Sequence, residues 1–454
     1  MRRVPSVPRP DALDVVRAEG LTYASERNTA GEDVPYWTEH VCYVFESEDI
    51  DVLEQVTQEL HEMSVAAGRR MAERPDVLRR LGLPPSAWPA IQASLEDPSA
   101  WSLYGRFDLV WDGTGAPKVL EYNADTPAGL VEAAVSQWSW LEAVRPEDDQ
   151  WNMLHERLVR AWRRHVPPGS TVHFTAGREE PLEDWNTVTY LRDTATEAGL
   201  HTVAVDIEEV GWHTRACQFV DAAEDPMAVV FKMYPWEWML AEEFGRHAVS
   251  PTSRTRWVEP VWKVLIGSKA LLPVLWELYP GHPNLLPSYF DGPRDLSAYV
   301  HKPMYGWEGA GISIHGGGET IASPVGHTAG QQGVYQELVH LPLFDGAHPV
   351  LGTWVVDGRA AGLGIRESKG LITDTNARFV PHYIAAPRSS AEQVAGWLAE
   401  EDAGMPAAPA GAGVQDSRGA GSTTTPQDVP GAHEPPRYAT FRPTDPRPRP
   451  QGPQ

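Results

Sequence analysis

The chain has 454 residues, enough to bury more than one hydrophobic core, and its 62 acidic against 38 basic side chains give a formal net charge of −24. So acidic a chain argues against nucleic-acid binding, which needs a basic surface. Its two cysteines, Cys42 and Cys217, are too few for a disulfide framework, which indicates a reducing compartment. No stretch approaches the roughly 20 apolar residues of a membrane span, and the N-terminus lacks the apolar segment of a signal peptide. We therefore expect a cytoplasmic protein with neither nucleic-acid nor membrane partners.

The N-terminal part of the chain carries three helical patterns. Apolar residues recur at helical spacing over 49–73 and 151–165, which predicts a helix in each range. A further helix is predicted over 126–144, because Thr126 is a suitable cap and Pro127 suits the first helical turn.

Strand patterns follow, first mixed with a helix and then nearly continuous. The first three strands are predicted at 170–176, 201–207 and 227–234. A helical pattern at 183–199 separates the first two of them, which predicts an α/β unit. After a helix predicted over 268–280, a mainly antiparallel sheet is expected, with strands at 297–304, 311–316, 333–339, 349–368 and 378–385. A short helix over 389–402 precedes a segment from Met405 that is dense in Pro, Gly and Ala, which predicts a disordered C-terminal tail.

The stretch GRFDLVWDGTGAPKVLEYNAD, residues 105–125, joins two strand patterns through a strong hairpin signal, DGTG. A tight turn within DGTG, or a loop two residues longer, sets Asp108 opposite Glu121 and Arg106 opposite Asn123. A loop with one residue more or fewer shifts the register by one. The register that sets Asp108 opposite Glu121 places all four polar side chains on one face of the hairpin.

That register suggests a metal site. Like charges directly opposite each other destabilise a hairpin, and a cation between them removes this penalty. The carboxylates of Asp108 and Glu121 and the amide oxygen of Asn123 are hard ligands suited to Mg²⁺, and Arg106 beside them can hold a developing negative charge. The alternative is a solvated hairpin with ordinary surface charges.

Three more basic residues and a glycine-rich loop follow. Lys302 lies on a strand before the glycine-rich loop 306–311, whose backbone N–H groups suit phosphate oxygens. The loop lacks the ending of a Walker sequence, so the alternative is a simple turn. Lys269 begins a predicted helix, where a nearby anion would relieve its charge, and Arg366 ends a strand.

The blocks YGRFD, LEYNADTP, EDWNTVTYL, FKMYPWEW, SKALLPVLWELYPGHPNLLP, KPMYGWEGAGI, YQELVHLP and GLGIRES occur in this order. In this respect the chain closely resembles the synthetase region of glutathionylspermidine synthetases, a branch of the ATP-grasp superfamily, over roughly Glu39 to Ile384. The resemblance implies an ATP-grasp fold of the α/β (α+β) class, ATP and Mg²⁺ as cofactors, and ligation of a carboxylate to an amine through an acyl phosphate.

The resemblance assigns roles to the hairpin residues. It implies that Asp108, Glu121 and Asn123 are the Mg²⁺ ligands, in agreement with the argument from strand faces. It also implies that Arg106 lies near the reacting carboxylate and that Arg366 completes the catalytic site.

The resemblance assigns further roles to nucleotide-binding residues. Lys269 and Lys302 match the phosphate-binding lysines, and Glu308 and Gly309 lie in the loop that covers the phosphates. The strip that edges the adenine is matched by Gln336, Glu337, Leu338 and Val339.

The substrate positions match the family less well. Thr126 stands where a small hydroxyl residue contacts the thiol-peptide substrate, and Glu183 and Asp184 stand at acidic substrate contacts, although Asp184 is shorter than the family's acid. Met233 falls where a hydroxyl contact is expected, and Trp307 where an arginine is expected. The acid is therefore expected to be peptide-like and the amine polyamine-like, without either being identified as glutathione or spermidine.

The resemblance also implies a domain organisation. We expect an N-terminal extension over 1–38, a substrate-binding α/β region with the metal hairpin over 39–260, an ATP-grasp nucleotide-binding region over 261–390, and a short helix and disordered tail over 391–454. The N-terminal amidase of two-domain family members is expected to be absent. Two alternatives remain open: a catalytically altered protein that binds nucleotide and partners, and a ligase of the same mechanism that uses another acid and amine.

Overall fold

A computed structural model of the chain describes residues 1–27, 33–177, 183–323, 332–374, 376–387, 389 and 391–404. The tail predicted from Met405 lies outside these residues. The helices are α1 Ala12–Ala18, α2 Ser47–Ala72, α3 Pro75–Arg80, α4 Trp88–Glu96, α5 Gln137–Val144, α6 Leu154–His165, α7 Glu183–Glu197, α8 Trp236–Ala241, α9 Gly245–Ala248, α10 Lys263–Ile266, α11 Leu271–Leu278 and α12 Ala391–Gly404. A π-helical turn, Glu132–Ser136, leads into α5, and a 3₁₀ turn covers Ile207–Glu209.

The strands are β1 Arg2–Pro5, β2 Ser25–Arg27, β3 Asp33–Pro35, β4 Val41–Phe45, β5 Tyr104–Val110, β6 Lys118–Asn123, β7 Asp148–Asp149, β8 Thr171–Ala176, β9 His201–Asp206, β10 Gly211–His213, β11 Gln218–Val220, β12 Val229–Met233, β13 Arg256–Val258, β14 Ser288–Tyr289, β15 Tyr299–Pro303, β16 Ser313–Gly316, β17 Glu319–Ala322, β18 Gly333–Glu337, β19 His348–Val356, β20 Arg359–Ser368, β21 Arg378–Val380 and β22 His382–Pro387.

The hairpin strands β5 and β6 form one edge of a five-stranded antiparallel sheet of order β21-β20-β19-β5-β6. Every residue of β5 is buried, since the sheet is covered on both faces. Phe107 of β5 stacks on Tyr122 of β6 with ring centroids 3.8 Å apart. This packing fixes the face on which the polar residues of the hairpin lie.

A second antiparallel sheet, of order β14-β18-β15-β16-β17, lies beside the hairpin. Two of its side chains donate hydrogen bonds to backbone carbonyl groups of β6: Lys302 Nζ to Leu120 at 2.7 Å and Gln336 Nε2 to Val119 at 3.1 Å. The single antiparallel sheet expected over 297–385 is thus divided, because β19 pairs with the hairpin strand β5, β20 and β21 follow β19 in the same sheet, and β22 joins a third sheet. The division leaves a cleft between the first two sheets.

The predicted α/β unit is confirmed. Strands β13, β12, β8 and β9 form a parallel sheet in that order, with α7 connecting β8 to β9. Such neighbouring parallel strands require a crossover connection, which α7 supplies. Apolar side chains of β8 and β12, such as Phe174 and Phe231, are fully buried in one of the two hydrophobic cores.

The predicted helices over 49–73, 151–165, 268–280 and 389–402 are present with small differences at their ends. The long helix α2 packs against α10 and α11 in the other core. The N-terminal strand β1 pairs with β4 in a sheet of order β1-β4-β22-β7. Within the described ranges, no helix is long and apolar enough to cross a membrane.

Candidate active site

The hairpin has the register that the sequence predicts. Asp108 lies opposite Glu121, and Arg106 lies opposite Asn123. The turn itself differs from the prediction, since β5 ends at Val110 and β6 begins at Lys118, which leaves a longer loop. A β-bulge after Asp108 restores the pairing, and bulges are common next to active sites.

Two arginines hold the carboxylate of Asp108, which is only 5% exposed. Arg106 forms a two-pronged ion pair, with Nε at 2.7 Å from Oδ1 and Nη2 at 3.2 Å from Oδ2. Arg366, from the neighbouring end of β20, places Nη2 at 3.1 Å from Oδ2. Planar guanidinium groups suit this geometry and also suit a substrate carboxylate or phosphate.

Two lysines and an amide surround the carboxylate of Glu121. Lys269 Nζ lies 3.1 Å from Oε2, and Asn123 Nδ2 donates to Oε1 at 2.9 Å. Burial opposes ionisation of Glu121, but the nearby ammonium groups of Lys269 and Lys302 outweigh it and lower the pKa of Glu121 to about 2. The pKa of Lys302 falls to about 8, chiefly through burial.

These ion pairs change the argument made from the sequence. The expected repulsion between Asp108 and Glu121 is relieved by protein cations, so the pair does not require a metal ion for stability. Lys269 lies before α11, which begins at Leu271 rather than at the lysine. The anion expected near Lys269 is Glu121.

A cavity of about 470 Å³ lies between the two antiparallel sheets and contains most of the predicted site. One end is charged and is lined by Asp108, Glu121, Lys302, Glu308 and Arg366. The other end is largely apolar. Its lining includes Val300, Ile314 and Ile321, with Gln336, Glu337, Leu338 and Val339 along one edge.

The glycine-rich loop after β15 covers the charged end of this cavity. Glu308, Gly309 and Gly311 all have positive φ, at 49°, 69° and 72°. A Cβ on Gly309 would lie 2.5 Å from Ile372 Cγ2, so only glycine permits this close approach to the segment after β20. The loop is also tied to Lys269, whose Nζ donates to the carbonyl of Gly306 at 3.1 Å.

The hairpin residues fit Mg²⁺ by their chemistry. Asp108 and Glu121 offer carboxylate oxygens at the cavity wall, and Asn123 turns its nitrogen to Glu121, which leaves its amide oxygen available. Among the described residues, no group of three His, Cys, Asp or Glu side chains is arranged to hold a metal ion. A magnesium ion at the hairpin would therefore take its remaining ligands from substrate phosphates and water.

The predicted helix cap at Thr126 is wrong. The helix begins at Leu130, because Pro127, Ala128 and Gly129 form a loop in which Gly129 has φ of 84°. Arg106 donates a hydrogen bond to the carbonyl of Ala128 in this loop. Thr126 lies in the same loop and is not among the residues that line the cavity.

Glu183 and Asp184 open α7, next to the charged end of the site but outside its lining. The pKa of Glu183 is raised well above its usual value by burial and then by Glu132 and Asp184, while Arg366 acts in the opposite direction. Glu132 is a residue of this region that was not predicted from the sequence. The sequence does contain one indication of its importance, because Glu132 is the single acidic residue in the otherwise apolar run 130–135.

The aromatic pair Trp238–Trp307 was also missed. Trp307 of the glycine-rich loop is 44% exposed, and its ring lies 5.6 Å from that of Trp238, nearly edge-on. Trp238 in turn meets Tyr234 edge-on at 5.5 Å. Met233, by contrast, is buried in the core.

Comparison with known proteins places this geometry among amide-forming enzymes. The family described as "Glutathionylspermidine synthase preATP-grasp" matches residues 3–385, and so begins earlier than the resemblance noted from Glu39. A putative acid–amine ligase of Haemophilus influenzae is 38% identical over 403 residues, which cover 85% of this chain and all of that protein.

Two longer relatives are more distant. Trypanothione synthetase of Crithidia fasciculata is 27% identical, over 76% of this chain and 57% of that protein. The bifunctional glutathionylspermidine synthetase/amidase of Escherichia coli is 26% identical, over 75% of this chain and 59% of that protein. The chain thus spans a little over half the length of these two relatives.

A solved structure shares the fold. A glutathione synthetase-like effector from Globodera pallida superposes with a TM-score of 0.52 at 12% identity, over 83% of this chain and 96% of that one. The predicted ATP-grasp fold class and the predicted class of enzyme, an ATP-dependent C–N ligase, are confirmed by these comparisons.

Proposed function

Because this chain belongs to the glutathionylspermidine synthase family, we propose that it uses ATP to join a small peptide-like carboxylic acid to a polyamine-like amine. The observation that supports this proposal most strongly is the two-ended cavity between the sheets. Its apolar end suits a nucleobase, and its charged end brings carboxylates, lysine and arginine together. The adjoining loop suits a polyphosphate.

ATP fits the cavity in one direction. The backbone strip Gln336–Val339 borders the apolar end, where its polar groups can meet an adenine edge while Val300 and Ile314 pack on the ring. The phosphates then lie toward Lys302 and Lys269, under Glu308 and Gly309. Lysine ammonium groups and glycine N–H groups are suitable donors for phosphate oxygens.

Asp108, Glu121 and Asn123 would hold Mg²⁺, which neutralises phosphate charge when bound. Because Arg106 and Arg366 both contact Asp108, they lie where the γ-phosphate and the substrate carboxylate would meet. There the two guanidinium groups orient the carboxylate and hold the negative charge that develops during phosphoryl transfer.

The reaction has two steps. A carboxylate oxygen attacks the γ-phosphorus, and the bond between the γ-phosphorus and the bridging oxygen of the β-phosphate breaks. ADP is the leaving group, and the acid becomes an acyl phosphate. A neutral amine then attacks the acyl carbon, inorganic phosphate departs, and the amine nitrogen loses a proton. Since water would hydrolyse the acyl phosphate, the contact of Gly309 with Ile372 supports a covering role for the glycine-rich loop.

Two features support substrates other than glutathione and spermidine. Met233 is buried where a hydroxyl contact would be expected, and Trp307 presents an aromatic face on the glycine-rich loop.

A screen of short peptides and other acids against linear amines tests the proposal. We expect ADP release and an amide product, detected by mass spectrometry, only when ATP, Mg²⁺, one acid and one amine are present together. A Lys302→Ala variant is the negative control. ADP release that proceeds equally without any acid, or an adenylated rather than phosphorylated acid, would contradict the proposed mechanism.

A further inference from the structure

Glu132 is a fully buried carboxyl group at the start of the π-helical turn Glu132–Ser136. Its Oε1 accepts hydrogen bonds from the hydroxyl groups of Tyr23, at 2.9 Å, and Tyr36, at 2.7 Å. Its Oε2 is buried and has no hydrogen-bond partner in the described part of the chain. An unpartnered buried carboxylate oxygen is costly, and π-helical turns occur frequently at functional sites.

The surroundings of Glu132 carry excess negative charge. Burial and the nearby charge of Glu132 raise the pKa of Glu183, and Glu308 contributes in the same direction. The nearby cation is Arg366, which is already engaged by Asp108 at 3.1 Å. Among the described side chains, none forms an ion pair with Glu132 or Glu183.

Tyr23 and Tyr36 lie between Glu132 and solvent. Both rings are partly exposed and lie 5.4 Å apart, so they form a wall over the carboxyl group. The charges of Glu183 and Arg366 both act on the hydroxyl of Tyr36. Glu132 therefore lies behind an aromatic wall, on a π-helical turn that packs on β20 and within electrostatic reach of Arg366.

On the basis of the proposed function, we infer that Glu132 is a specificity-determining residue that binds a protonated amino group of the amine substrate through Oε2. The amine that attacks the acyl phosphate is neutral, so a carboxylate has no ion pair to make with it. A second amino group on the same substrate remains protonated at neutral pH. The two tyrosines orient the carboxylate through Oε1, and the ammonium group supplies the missing partner of Oε2.

The test compares two amines that differ only in the second amino group, 1,4-diaminobutane and butylamine. Calorimetric titration of the full-length protein should show that the diamine binds at least about tenfold more tightly than the monoamine. Glu132→Gln keeps an acceptor for both tyrosines but removes the charge, so the diamine preference should disappear. Tyr36→Phe should reduce the preference partly, since it removes one of two orienting hydrogen bonds.

Glu19→Gln is the matched control. Glu19 also has a buried, unpartnered Oε2, but its charged neighbours are Arg9 and Glu39 rather than Arg366. The control should bind both amines like the wild type. A Glu132→Gln protein that keeps the wild-type preference, or a wild type without any preference, would overturn the inference.

If Glu132→Gln does not fold, the Tyr36→Phe variant tests the inference instead. A folded Tyr36→Phe protein that prefers the diamine as strongly as the wild type would then overturn it. A parallel titration with Mg²⁺ and ATP separates the two proposals. Wild-type protein that prefers the diamine but binds no nucleotide would contradict the ligase function, and not the role of Glu132 in ammonium binding.

Discussion

Two groups of buried ion pairs arise from one short stretch of sequence, and they differ in what surrounds them. Asp108 and Glu121 line the cavity beside arginine and lysine side chains. Asp125, which follows closely in sequence, pairs with Lys232 at 2.6 Å and accepts the backbone N–H of Trp236 at 2.8 Å. The first group faces space that a ligand can fill, whereas the second is closed.

The closed group extends to a second pair. Glu259 lies 3.4 Å from Lys263 and accepts the backbone N–H groups of Leu103 and Tyr104, each at 2.9 Å. It therefore anchors the start of β5, the strand that carries Asp108. The comparison shows that burial and pairing alone do not identify a binding site. At the hairpin, access to the cavity distinguishes Asp108 and Glu121 from Asp125, which supports the fold.

The largest expected effect on stability is in the closed group. Asp125→Asn leaves the fully buried ammonium of Lys232 without its carboxylate, which should lower the free energy of unfolding by about 3–5 kcal/mol. Urea unfolding measures this change. Glu121→Gln should cost less, because the side chain of Glu121 is 19% exposed and borders the cavity. Equal losses of unfolding free energy in Asp125→Asn and Glu121→Gln would contradict the distinction between the closed group and the cavity-wall group.

The largest expected effect on catalysis is in the open group. Glu121→Gln should lower ATP turnover about 100-fold to 1,000-fold, since the phosphate end loses a charged ligand. The assay is ADP release with an active acid and amine. Glu62→Gln, an exposed change on α2, is the control. Turnover within a few-fold of the wild type would show that Glu121 is only a structural charge.

The pH dependence of stability should distinguish two buried histidines from Glu121 at the cavity wall. Burial lowers the pKa of His382 to about 3, and burial together with Lys263 does the same for His61. Below pH 6.5 the unfolded state binds protons that the folded state does not. Each histidine should therefore cost about 2 kcal/mol of stability between pH 6.5 and 5, whereas Glu121 stays ionised to about pH 2.

Unfolding measured at several pH values in His382→Gln checks this prediction. Its stability should fall less steeply with decreasing pH than that of the wild type, and the exposed substitution His201→Gln should leave the slope unchanged. A wild-type slope in His382→Gln would mean that this side chain is protonated in the folded protein.

A smaller effect is expected for Arg106→Lys. The lysine keeps the charge but cannot span both oxygens of Asp108 and the carbonyl of Ala128. We expect about a tenfold loss of turnover with nucleotide affinity within about twofold of the wild type. An equal loss of affinity would place the role of Arg106 in ATP binding instead of in orienting the substrate carboxylate.

Much of the site could be predicted because strand geometry is local. Alternation along two strands and a glycine-rich turn were enough to set Asp108 opposite Glu121. The turn length was wrong, yet the bulge after Asp108 compensated for it. The α/β unit was predictable for the same reason, since its strands and its crossover helix have distinct periods.

The rest depends on contacts between distant parts of the chain. Arg366 reaches Asp108 across 258 residues of sequence, and the expected antiparallel sheet is divided because β19 pairs with β5. The false cap at Thr126 has a similar origin, because Arg106 holds the following loop away from the helix. The only sequence signal of Glu132 is its place among apolar residues, and its importance appears only when Tyr23 and Tyr36 are placed around it.

The most direct test of the account is the affinity for Mg²⁺ and ATP together, measured by calorimetry in the wild type, Glu121→Gln, Asp108→Asn and the exposed control Glu62→Gln. We expect nucleotide binding in the wild type that weakens when Mg²⁺ is omitted. We expect a loss of at least about tenfold in both cavity variants, and wild-type affinity in Glu62→Gln. Wild-type affinity in both cavity variants would contradict the assignment of the hairpin as the metal and phosphate site.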